Sequence, residues 1–286
     1  MQEPYGILDF NRDFPNEDAC LDYLFKKRYP DLTGYYKIRG RKAYVNKDGK
    51  QIYPLAGTIF EKSSTSLWKW FFAIFLFSAS KHGVSGKELE RQLKVTYKCA
   101  WRMAHQIRSA MSQKNMAKLF RTVEADETYV GGIRRTTAWA KAKAPVVGMV
   151  QRDGELRAKV TESRREDQIV AFVQENLRKG STLYTDYAPV YNILRGYGRG
   201  RVKHSWREFK RGRIHTNTIE AFWSQLKRSM RGTHIWVSKR HLQQYVDEAV
   251  WRWNNRDQEK YFDALMEQIW RHPGGKRSSP ELSPPF

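Results

Sequence analysis

The sequence predicts a mixed α/β protein, of the α+β kind, in which helical and strand-like patterns occupy separate stretches of the chain. Residues 1–62 are polar and rich in turn signals, whereas the pattern from Ser64 to about residue 112 is helical. Strand-like runs dominate from about 120 to 210, and helical patterns return after residue 215. Runs of one element type followed by runs of the other are typical of α+β folds.

The composition is that of a folded and strongly basic protein. Of its 286 residues, 40% are hydrophobic and 14% aromatic, which excludes a disordered chain. Lys and Arg number 52 against 30 Asp and Glu, giving a formal net charge of +22. Because the basic residues alternate with Trp and Tyr and do not form one tail, nucleic acid is the predicted partner. A charge that serves solubility, or an anionic membrane surface, is the alternative.

Cysteine content and hydropathy indicate the compartment. Cys20 and Cys99 are too few for a disulfide framework or a Cys-based zinc site. The N-terminal residues contain no signal-like apolar segment, and the most apolar run, Trp70 to Phe77, is far shorter than the ~20 residues that cross a bilayer. We therefore expect an intracellular protein without a membrane segment, cytoplasmic and nucleoid-associated if bacterial.

The segment 35–60 predicts a small β-ribbon. Its short β-prone runs are separated by Arg39-Gly40 and Asp48-Gly49, which are both turn signals.

Three helices are predicted next, at about Leu67–Lys81, Gly86–Lys94 and Lys98–Ser112, with Ser85 as an N-cap of the second. The last two, joined by a short turn at Val95-Thr96, resemble a helix-turn-helix. Their inward-facing apolar positions are Val84, Leu89, Leu93, Ala100, Met103, Ala104 and Ile107.

The outward positions of this helix pair are the predicted DNA contacts, because a second helix of this kind can enter the major groove. An ordinary three-helix packing unit with solvated basic residues is the alternative. The candidate contacts are Tyr97, Lys98, Arg102, Gln106 and Arg108.

The second half of the chain predicts a meander of three strands, at 121–130, 145–152 and 155–162, with a hairpin turn at Asp153-Gly154. The elements expected after it are a helix at 165–179, strands at 181–185 and 201–206, and helices at 218–230 and 239–254.

Three acidic residues stand where a two-metal nuclease or transposase requires them. Asp126 lies in the first strand of the meander, Asp186 follows the strand 181–185, and Glu220 opens the next helix. A two-metal site needs carboxylates from separate elements, and Mg²⁺ prefers oxygen ligands. The ribonuclease H-like fold supplies acids in this order, so we predict such a core holding two Mg²⁺ or Mn²⁺ ions. Taken singly, each acid has an ordinary explanation as a strand-end, turn or first-turn helix residue.

Residues near Glu220 extend the candidate site. Lys227 follows it by seven positions, nearly two helical turns, and therefore shares its helix face. A cation there can hold a phosphate beside the metals. His215 and Asn217 either orient the scissile phosphate or serve as loop and cap residues, and Arg228 is a further candidate for DNA contact.

Four sequence motifs carry a family resemblance, and together they resemble the DDE transposases of a bacterial insertion-sequence group related to the eukaryotic Merlin elements. The similarity runs from about residue 35 to 256. The motifs are DETYVGG (126–132), TDYAPVY (185–191), HTNTIEAFWSQLKR (215–228) and YVDEAVWRWNNR (245–256).

The resemblance implies that the catalytic and metal-binding acids are Asp126, Asp186 and Glu220, accompanied by Lys227. The family's histidine and asparagine correspond to His215 and Asn217, and Asn217 is the reserve for the third metal-site residue. The implied activity is that of a transposase, which binds transposon-end double-stranded DNA, cleaves it with two metal ions and transfers the 3′ ends to target DNA. Cutting and joining at two ends implies a homodimer or a higher oligomer.

Two rival functions stay open at this point: a non-catalytic, domesticated DNA-binding protein, and a metal-dependent endonuclease that cleaves DNA but does not join it.

Relatives often carry Cys-x-x-Cys pairs around the N-terminal ribbon, but the stretch 44–49 contains no cysteine. We therefore expect a ribbon without zinc. The residues expected to hold it are Tyr35, Tyr36, Tyr44, Ile52 and Leu55.

The expected domain organisation has four parts. A β-ribbon region without zinc ligands covers 1–62, and a helix-turn-helix-like DNA-binding domain covers 63–115. A ribonuclease H-like catalytic domain covers 118–256, followed by a C-terminal helix and mobile tail over 257–286.

Overall fold

The computed structural model divides into two compact units, one made of Met1–Met111 with Gln258–Phe286 and the other of Ser112–Asp257. None of the described helices is long and apolar enough to cross a membrane. The residues that the structure describes are 5–113, 116–131, 143–162, 166–186, 188–202, 211–256 and 261–271.

The first unit begins with two helices, α1 (Ile7–Asp13) and α2 (Glu17–Arg28). The sequence predicts a turn-rich stretch here, and that prediction is wrong. Asn16 caps α2 by accepting a hydrogen bond of 2.9 Å from the backbone N–H of Ala19. The buried side chains of α2 have helical spacing and comprise Cys20, Leu21, Leu24 and Phe25.

A three-stranded antiparallel sheet lies where the sequence predicts a ribbon. Its strands are β1 (Tyr36–Lys37), β2 (Tyr44–Val45) and β3 (Gln51–Ile52), in the order β1-β2-β3. Gly40 and Gly49 make the two turns with φ of 73° and 77°, a conformation that favours glycine.

Tyr44 anchors this sheet to α2. Its ring stacks on Phe25 with a centroid separation of 3.9 Å, and its hydroxyl donates to Asp22. Tyr36 was expected to hold the ribbon as well, but 61% of its surface is exposed, because the outer strand presents it to solvent.

Three helices follow, α3 (Leu67–Ala79), α4 (Gly86–Leu93) and α5 (Tyr97–Ala110), each beginning at a hydroxyl-bearing N-cap: Ser66, Ser85 and Thr96. The helix α9 (Tyr261–Arg271) packs on α3 and α5. The inward positions predicted for α4 and α5 are all buried: Val84, Leu89, Leu93, Ala100, Met103, Ala104 and Ile107.

The second unit is built on a five-stranded mixed sheet of order β6-β5-β4-β7-β8. The predicted antiparallel meander is confirmed, while β7 runs parallel to β4 and β8 parallel to β7. The strands are β4 (Thr122–Val130), β5 (Ala144–Gln151), β6 (Leu156–Val160), β7 (Thr182–Thr185) and β8 (Gly198–Arg201). The strand expected at 201–206 therefore lies earlier, and residues 203–210 are outside the described part.

Helices cover both faces of this sheet. On one face α6 (Glu166–Asn176) and a 3₁₀ helix (Pro189–Ile193) pack on apolar residues of β4, β5 and β7. On the other, α7 (Asn217–Ser229) and α8 (Lys239–Asn254) pack on residues of β4, β5 and β6. The single strand β4 therefore belongs to both layers, with alternate side chains facing each.

Helix α7 crosses the sheet closely enough to require a glycine. Gly148 of β5 pairs with Asp126 of β4, and a Cβ atom at Gly148 would lie 2.6 Å from the ring of Trp223. Because Gly148 has no side chain, the Trp223 ring can pack directly on the strand pair that carries Asp126.

Candidate active site

Two carboxylates meet at neighbouring parallel strands. In each recorded β4–β7 pair, such as Thr122 with Thr182, the residue numbers differ by 60. Asp126 and Asp186 also differ by 60, so continuing the register places Asp186, the residue after β7, opposite Asp126. Two side chains 60 positions apart in the chain thereby become neighbours.

Asp126 is held in an environment that disfavours its charge. Burial raises its pKa most strongly, and the nearby carboxylates of Asp186 and Glu127 raise it further, to about 7. Trp223 of α7 donates a hydrogen bond of 3.0 Å from Nε1 to Asp126, which lowers the pKa in part. An elevated carboxyl pKa caused by burial beside a like charge is typical of functional sites.

One face of α7 is turned toward this acid pair. Trp223 contacts Asp126 directly, and Lys227, one turn later, lies within the electrostatic field of Asp126. Burial lowers the pKa of Lys227, and Asp126 opposes that effect. Glu220 precedes Trp223 by three positions on the same face, and it accepts a hydrogen bond of 2.8 Å from the hydroxyl of Thr216.

The structure therefore brings together Asp126, Asp186 and Lys227, and it places Glu220 on the helix face that meets Asp126. In the part of the chain that is described, no three His, Cys, Asp or Glu side chains are grouped so as to hold a metal ion. The membership of Glu220 in a metal site accordingly stays a prediction.

Glu127 is engaged on the opposite face of β4. The fully buried Tyr191 of the 3₁₀ helix donates its hydroxyl to Glu127. Burial, followed by the charge of Glu127, raises the pKa of Tyr191 well above its usual value, so the hydroxyl keeps its proton. This contact ties the segment that follows Asp186 to the residue that follows Asp126.

Glu124, which is not among the residues predicted from the sequence, has a fully buried carboxylate. It accepts from the backbone N–H groups of Thr218 and Ile219 at 2.8 and 3.2 Å, and from the Thr218 hydroxyl at 3.0 Å. These N–H groups belong to the first turn of α7, which has no partner of its own for them. Glu124 thus caps α7 from 94 positions away, with its charge at the positive end of the helix dipole.

Arg152 completes this buried cluster. Its Nε donates to Glu124 at 3.0 Å, and its Nη atoms reach the backbone carbonyls of Arg213 at 2.7 Å and His215 at 3.3 Å. Its guanidinium also lies over the Tyr184 ring, 4.8 Å from the centroid. One cation therefore joins β4, β7 and the loop that leads into α7.

The Glu124–Arg152 pair touches every element that carries a candidate acid. Glu124 stands two residues before Asp126, and Tyr184 stands two before Asp186. Thr218, which is capped by Glu124, stands two before Glu220. The pair is therefore placed to fix the positions of all three acids. Tyr184 and Thr218 resemble ordinary strand and cap residues in the sequence, and Glu124 gave no signal except an acid inside a strand-like run.

The remaining predicted site residues lie around the start and end of α7. His215 Nδ1 is 3.2 Å from the Glu124 carboxylate but not in hydrogen-bonding geometry. Asn217 is the exposed first residue of the helix, and Arg228 is exposed near its end. No contact in the structure tests their predicted roles.

In the first unit, one predicted DNA contact is wrong. Arg108 is only 1% exposed, because it donates to the backbone carbonyl of Val84 at 2.8 Å and lies 5.1 Å from the Phe77 ring centroid. Its spacing of four from Ala104, an inward position, is the signal that could have shown this. Of the other candidates, Lys98 is exposed, while Tyr97, Arg102 and Gln106 are half-buried.

Comparison with known proteins identifies the region that contains this site. Residues 118–254 match the family model of the ISXO2-like transposase domain. This region belongs to the DDE transposases of an insertion-sequence group. The transposase domain lies within the second structural unit and contains the acid pair, α7 and the Glu124–Arg152 pair.

Two relatives extend the comparison. An uncharacterized protein in the transposable element ISH50 of Halobacterium salinarum is 28% identical over 241 residues, which cover 77% of this chain and 81% of the relative. An uncharacterized transposase-like protein of Haemophilus influenzae is 25% identical over 103 residues, 35% of this chain and 82% of the relative. The first similarity therefore extends well beyond the transposase domain.

Among solved structures, the chain is similar to one from the simian T-cell lymphotropic virus intasome in complex with the PP2A regulatory subunit B56 gamma. The TM-score is 0.33 and the identity 12%, over 68% of this chain and 72% of that chain. A TM-score of this size does not establish a shared fold.

Replacing Glu124 by Gln should strongly destabilise the transposase domain. The change leaves the Arg152 cation without its counter-charge and weakens the cap of α7, so we expect a loss of about 3 kcal/mol in the free energy of unfolding, measured by urea titration. The control is Glu175→Gln, because Glu175 and its partner Lys159 are both more than half exposed. It should cost less than about 1 kcal/mol. Similar losses in the two variants would contradict the assigned role of Glu124.

The raised pKa of Asp126 predicts a pH dependence of stability without metal. Between the ordinary carboxyl value of 3.8 and about 7, the folded state keeps a proton that the unfolded state loses, so stability falls as pH rises through this window. Asp126→Asn carries no titrating group. It should therefore become more stable than the wild type by up to about 4 kcal/mol above pH 7, and the advantage should vanish near pH 4. Urea unfolding in EDTA measures this difference, and an advantage independent of pH would refute the assignment.

Proposed function

We propose that this chain is a transposase that binds the ends of its element, cleaves phosphodiester bonds with two divalent cations and transfers the 3′ ends to target DNA. The observation that supports the proposal is the Asp126–Asp186 pair, two half-buried carboxylates at adjacent parallel strands, with the pKa of Asp126 raised. It lies inside the region that matches a transposase domain.

The chemistry of these donors fits a hard divalent cation. Two neighbouring carboxylates repel one another and supply oxygen ligands, and an ion between them removes the repulsion. Asp126, Asp186 and Glu220 would hold the metal, Mg²⁺ or Mn²⁺, with Asn217 as the reserve for the third position. When bound, such ions lower the pKa of an attacking water and stabilise a leaving 3′ oxygen.

The chain's own side chains have separate tasks in this proposal. Trp223 orients Asp126 through its 3.0 Å hydrogen bond. Lys227, which lies in the field of Asp126, binds the phosphate next to the acids. Glu220 would hold the metal with the carboxylate that now accepts a hydrogen bond from Thr216. His215 lies at the N-terminus of α7, where it can orient the scissile phosphate.

The sheet supports a ribonuclease H-like core for this chemistry. An antiparallel meander whose first strand lies centrally is extended by two parallel strands, giving the order β6-β5-β4-β7-β8. The first acid is in the central strand, the second follows the adjacent parallel strand, and the third is on a later helix. This arrangement is the one expected from the sequence.

The basic first unit supplies the proposed recognition of DNA. Helices α4 and α5 form the helix-turn-helix-like pair, with exposed Lys98 and the half-buried Tyr97, Arg102 and Gln106 at its outer side. Arg228 adds a proposed DNA contact from the transposase domain.

The proposed partner is double-stranded DNA, both at the element's ends and at the target, bound by a dimer or higher oligomer inside the cell. The ribbon is proposed to act without zinc, and domains at 1–62, 63–115, 118–256 and 257–286 stay the proposed organisation.

A cleavage and joining assay tests this function. With labelled DNA that carries the element's end and with Mg²⁺, the wild type should give nicked and joined products. Asp126→Ala and Asp186→Ala should reduce both products by more than about 100-fold. Removing a residue that only hydrogen-bonds to a metal ligand already lowers metal affinity or activity about 10- to 100-fold, and these variants remove a ligand itself. DNA binding should be retained. Glu220→Ala should reduce nicked and joined products as strongly if Glu220 is the third ligand. If only Asn217→Ala reduces them, Asn217 is the third ligand instead.

Glu175→Ala, an exposed acid on α6, serves as the control and should leave both products unchanged. Joined products unaffected by Asp126→Ala would refute the catalytic assignment. Nicks without joining would show an endonuclease, and binding without cleavage by the wild type would show a DNA-binding protein.

A further inference from the structure

The turn between α7 and α8 is a strained structure. A π-helical turn, Met230–His234, ends α7, and the next residue, Ile235, has φ of 61° and ψ of −58°. The backbone N–H of Trp236 donates to the His234 carbonyl at 2.6 Å. These values define the γ-turn with positive φ, which is rare, and a β-branched residue is poorly suited to it.

This strained turn is fixed on both sides. Met230 is buried in the core between the sheet and the two helices, and Val237 packs against the same core. The His234 ring meets Tyr245 of α8 edge to face at 4.7 Å. Between these anchors, Ile235 is 86% and Trp236 51% exposed. The fold therefore keeps two large apolar side chains in solvent at a cost in backbone strain, a combination typical of functional sites.

The surroundings of this pair are cationic. The chain has no Asp or Glu between Glu220 and Asp247. Lys227, the first cation of the stretch, lies in the field of Asp126, so the charged surface is continuous with the acid pair. We call residues 227–240 the basic turn. Its cations are Lys227, Arg228, Arg231, Lys239 and Arg240, of which all but Lys227 are exposed.

We infer that the basic turn binds unpaired DNA beside the cleavage site, with Trp236 stacked on an exposed base and Ile235 against the adjacent base. The inference deepens the proposed function and rests on it for the identity of the nucleic acid. Cations that follow a phosphate backbone, together with an aromatic ring that takes a base, are the two components of a single-strand binding surface.

Charge opposes the plainest alternative, a second copy docking through Ile235 and Trp236. Two copies of a surface with five cations and no acid within 221–246 would repel each other.

Binding of gapped DNA tests the inference. The full chain is titrated, with Ca²⁺ in place of Mg²⁺, into a duplex oligonucleotide whose short single-stranded gap carries 2-aminopurine, and into the fully paired duplex. Wild-type protein should quench the 2-aminopurine fluorescence. Trp236→Ala should abolish the quenching and weaken binding to gapped DNA about tenfold, with paired-duplex affinity within about twofold of the wild type. Trp236→Phe should restore most of both signals.

Two further variants separate stacking from charge. Ile193→Ala, at an apolar residue of the same unit that is also 51% exposed, should change neither signal. Arg231→Gln should weaken binding to both DNAs and reduce the salt dependence by about one counterion. Quenching that survives Trp236→Ala would overturn the inference. So would a shift from dimer to monomer in that variant, seen by sedimentation with unchanged DNA binding, because the occupant would then be a second copy.

The same titration with Asp126→Ala keeps this test independent of catalysis. Trp236-dependent quenching by that variant, together with no cleavage by the wild type in Mg²⁺, would refute the proposed function and sustain the inference. Cleavage and joining by the wild type without Trp236-dependent quenching would support the proposed function and refute the inference about the basic turn.

Discussion

A carboxylate with no access to solvent, that of Glu124, sets the arrangement of the transposase domain. A buried charge is costly unless it is paired and fully hydrogen-bonded, and Glu124 meets both conditions with groups from different elements. The backbone of α7 can satisfy this carboxylate only if the helix begins over β4, and Arg152 can reach it only from the β5–β6 hairpin. The requirement to satisfy one charge therefore fixes where a helix starts relative to a sheet.

The acid pair depends on that placement in the opposite electrostatic sense. Glu124 is paired with Arg152 and hydrogen-bonded by helix N–H groups, whereas Asp126, two residues along the same strand face, meets one indole N–H and the carboxylates of Asp186 and Glu127. The contacts of the first carboxylate stabilise the fold, while the second has its pKa raised and gains from a cation. Two acids on one strand thus have opposite roles because of what surrounds them.

The sequence predicted much of the sheet, but not what positions the site. The β-prone runs of β4 to β6 and the 3.6-residue period of α7 and α8 are local patterns, so the sequence predicts those elements closely. The Glu124 cap spans 94 positions, and its partners look ordinary in the sequence. The charge of Arg108 predicts a solvent-exposed side chain, and that prediction is wrong. Its spacing of four residues from the buried Ala104 indicates a position in the core. The sequence does not reveal α1 and α2, because polar residues outnumber the buried ones, which are Phe10 alone in α1 and four residues in α2. The residue types around Ile235 likewise give no sign of a strained turn.

The affinity of the acid pair for Mn²⁺ in the absence of DNA tests the central claim most directly, since it reports the geometry of Asp126 and Asp186 rather than overall stability. Electron paramagnetic resonance of free Mn²⁺ can compare the wild type with Glu124→Gln and Glu175→Gln, under conditions where circular dichroism shows each protein folded. If Glu124 positions the acids, Glu124→Gln should weaken Mn²⁺ binding by about 10- to 100-fold, and Glu175→Gln should leave it unchanged. Equal Mn²⁺ affinity in all three proteins would contradict the account.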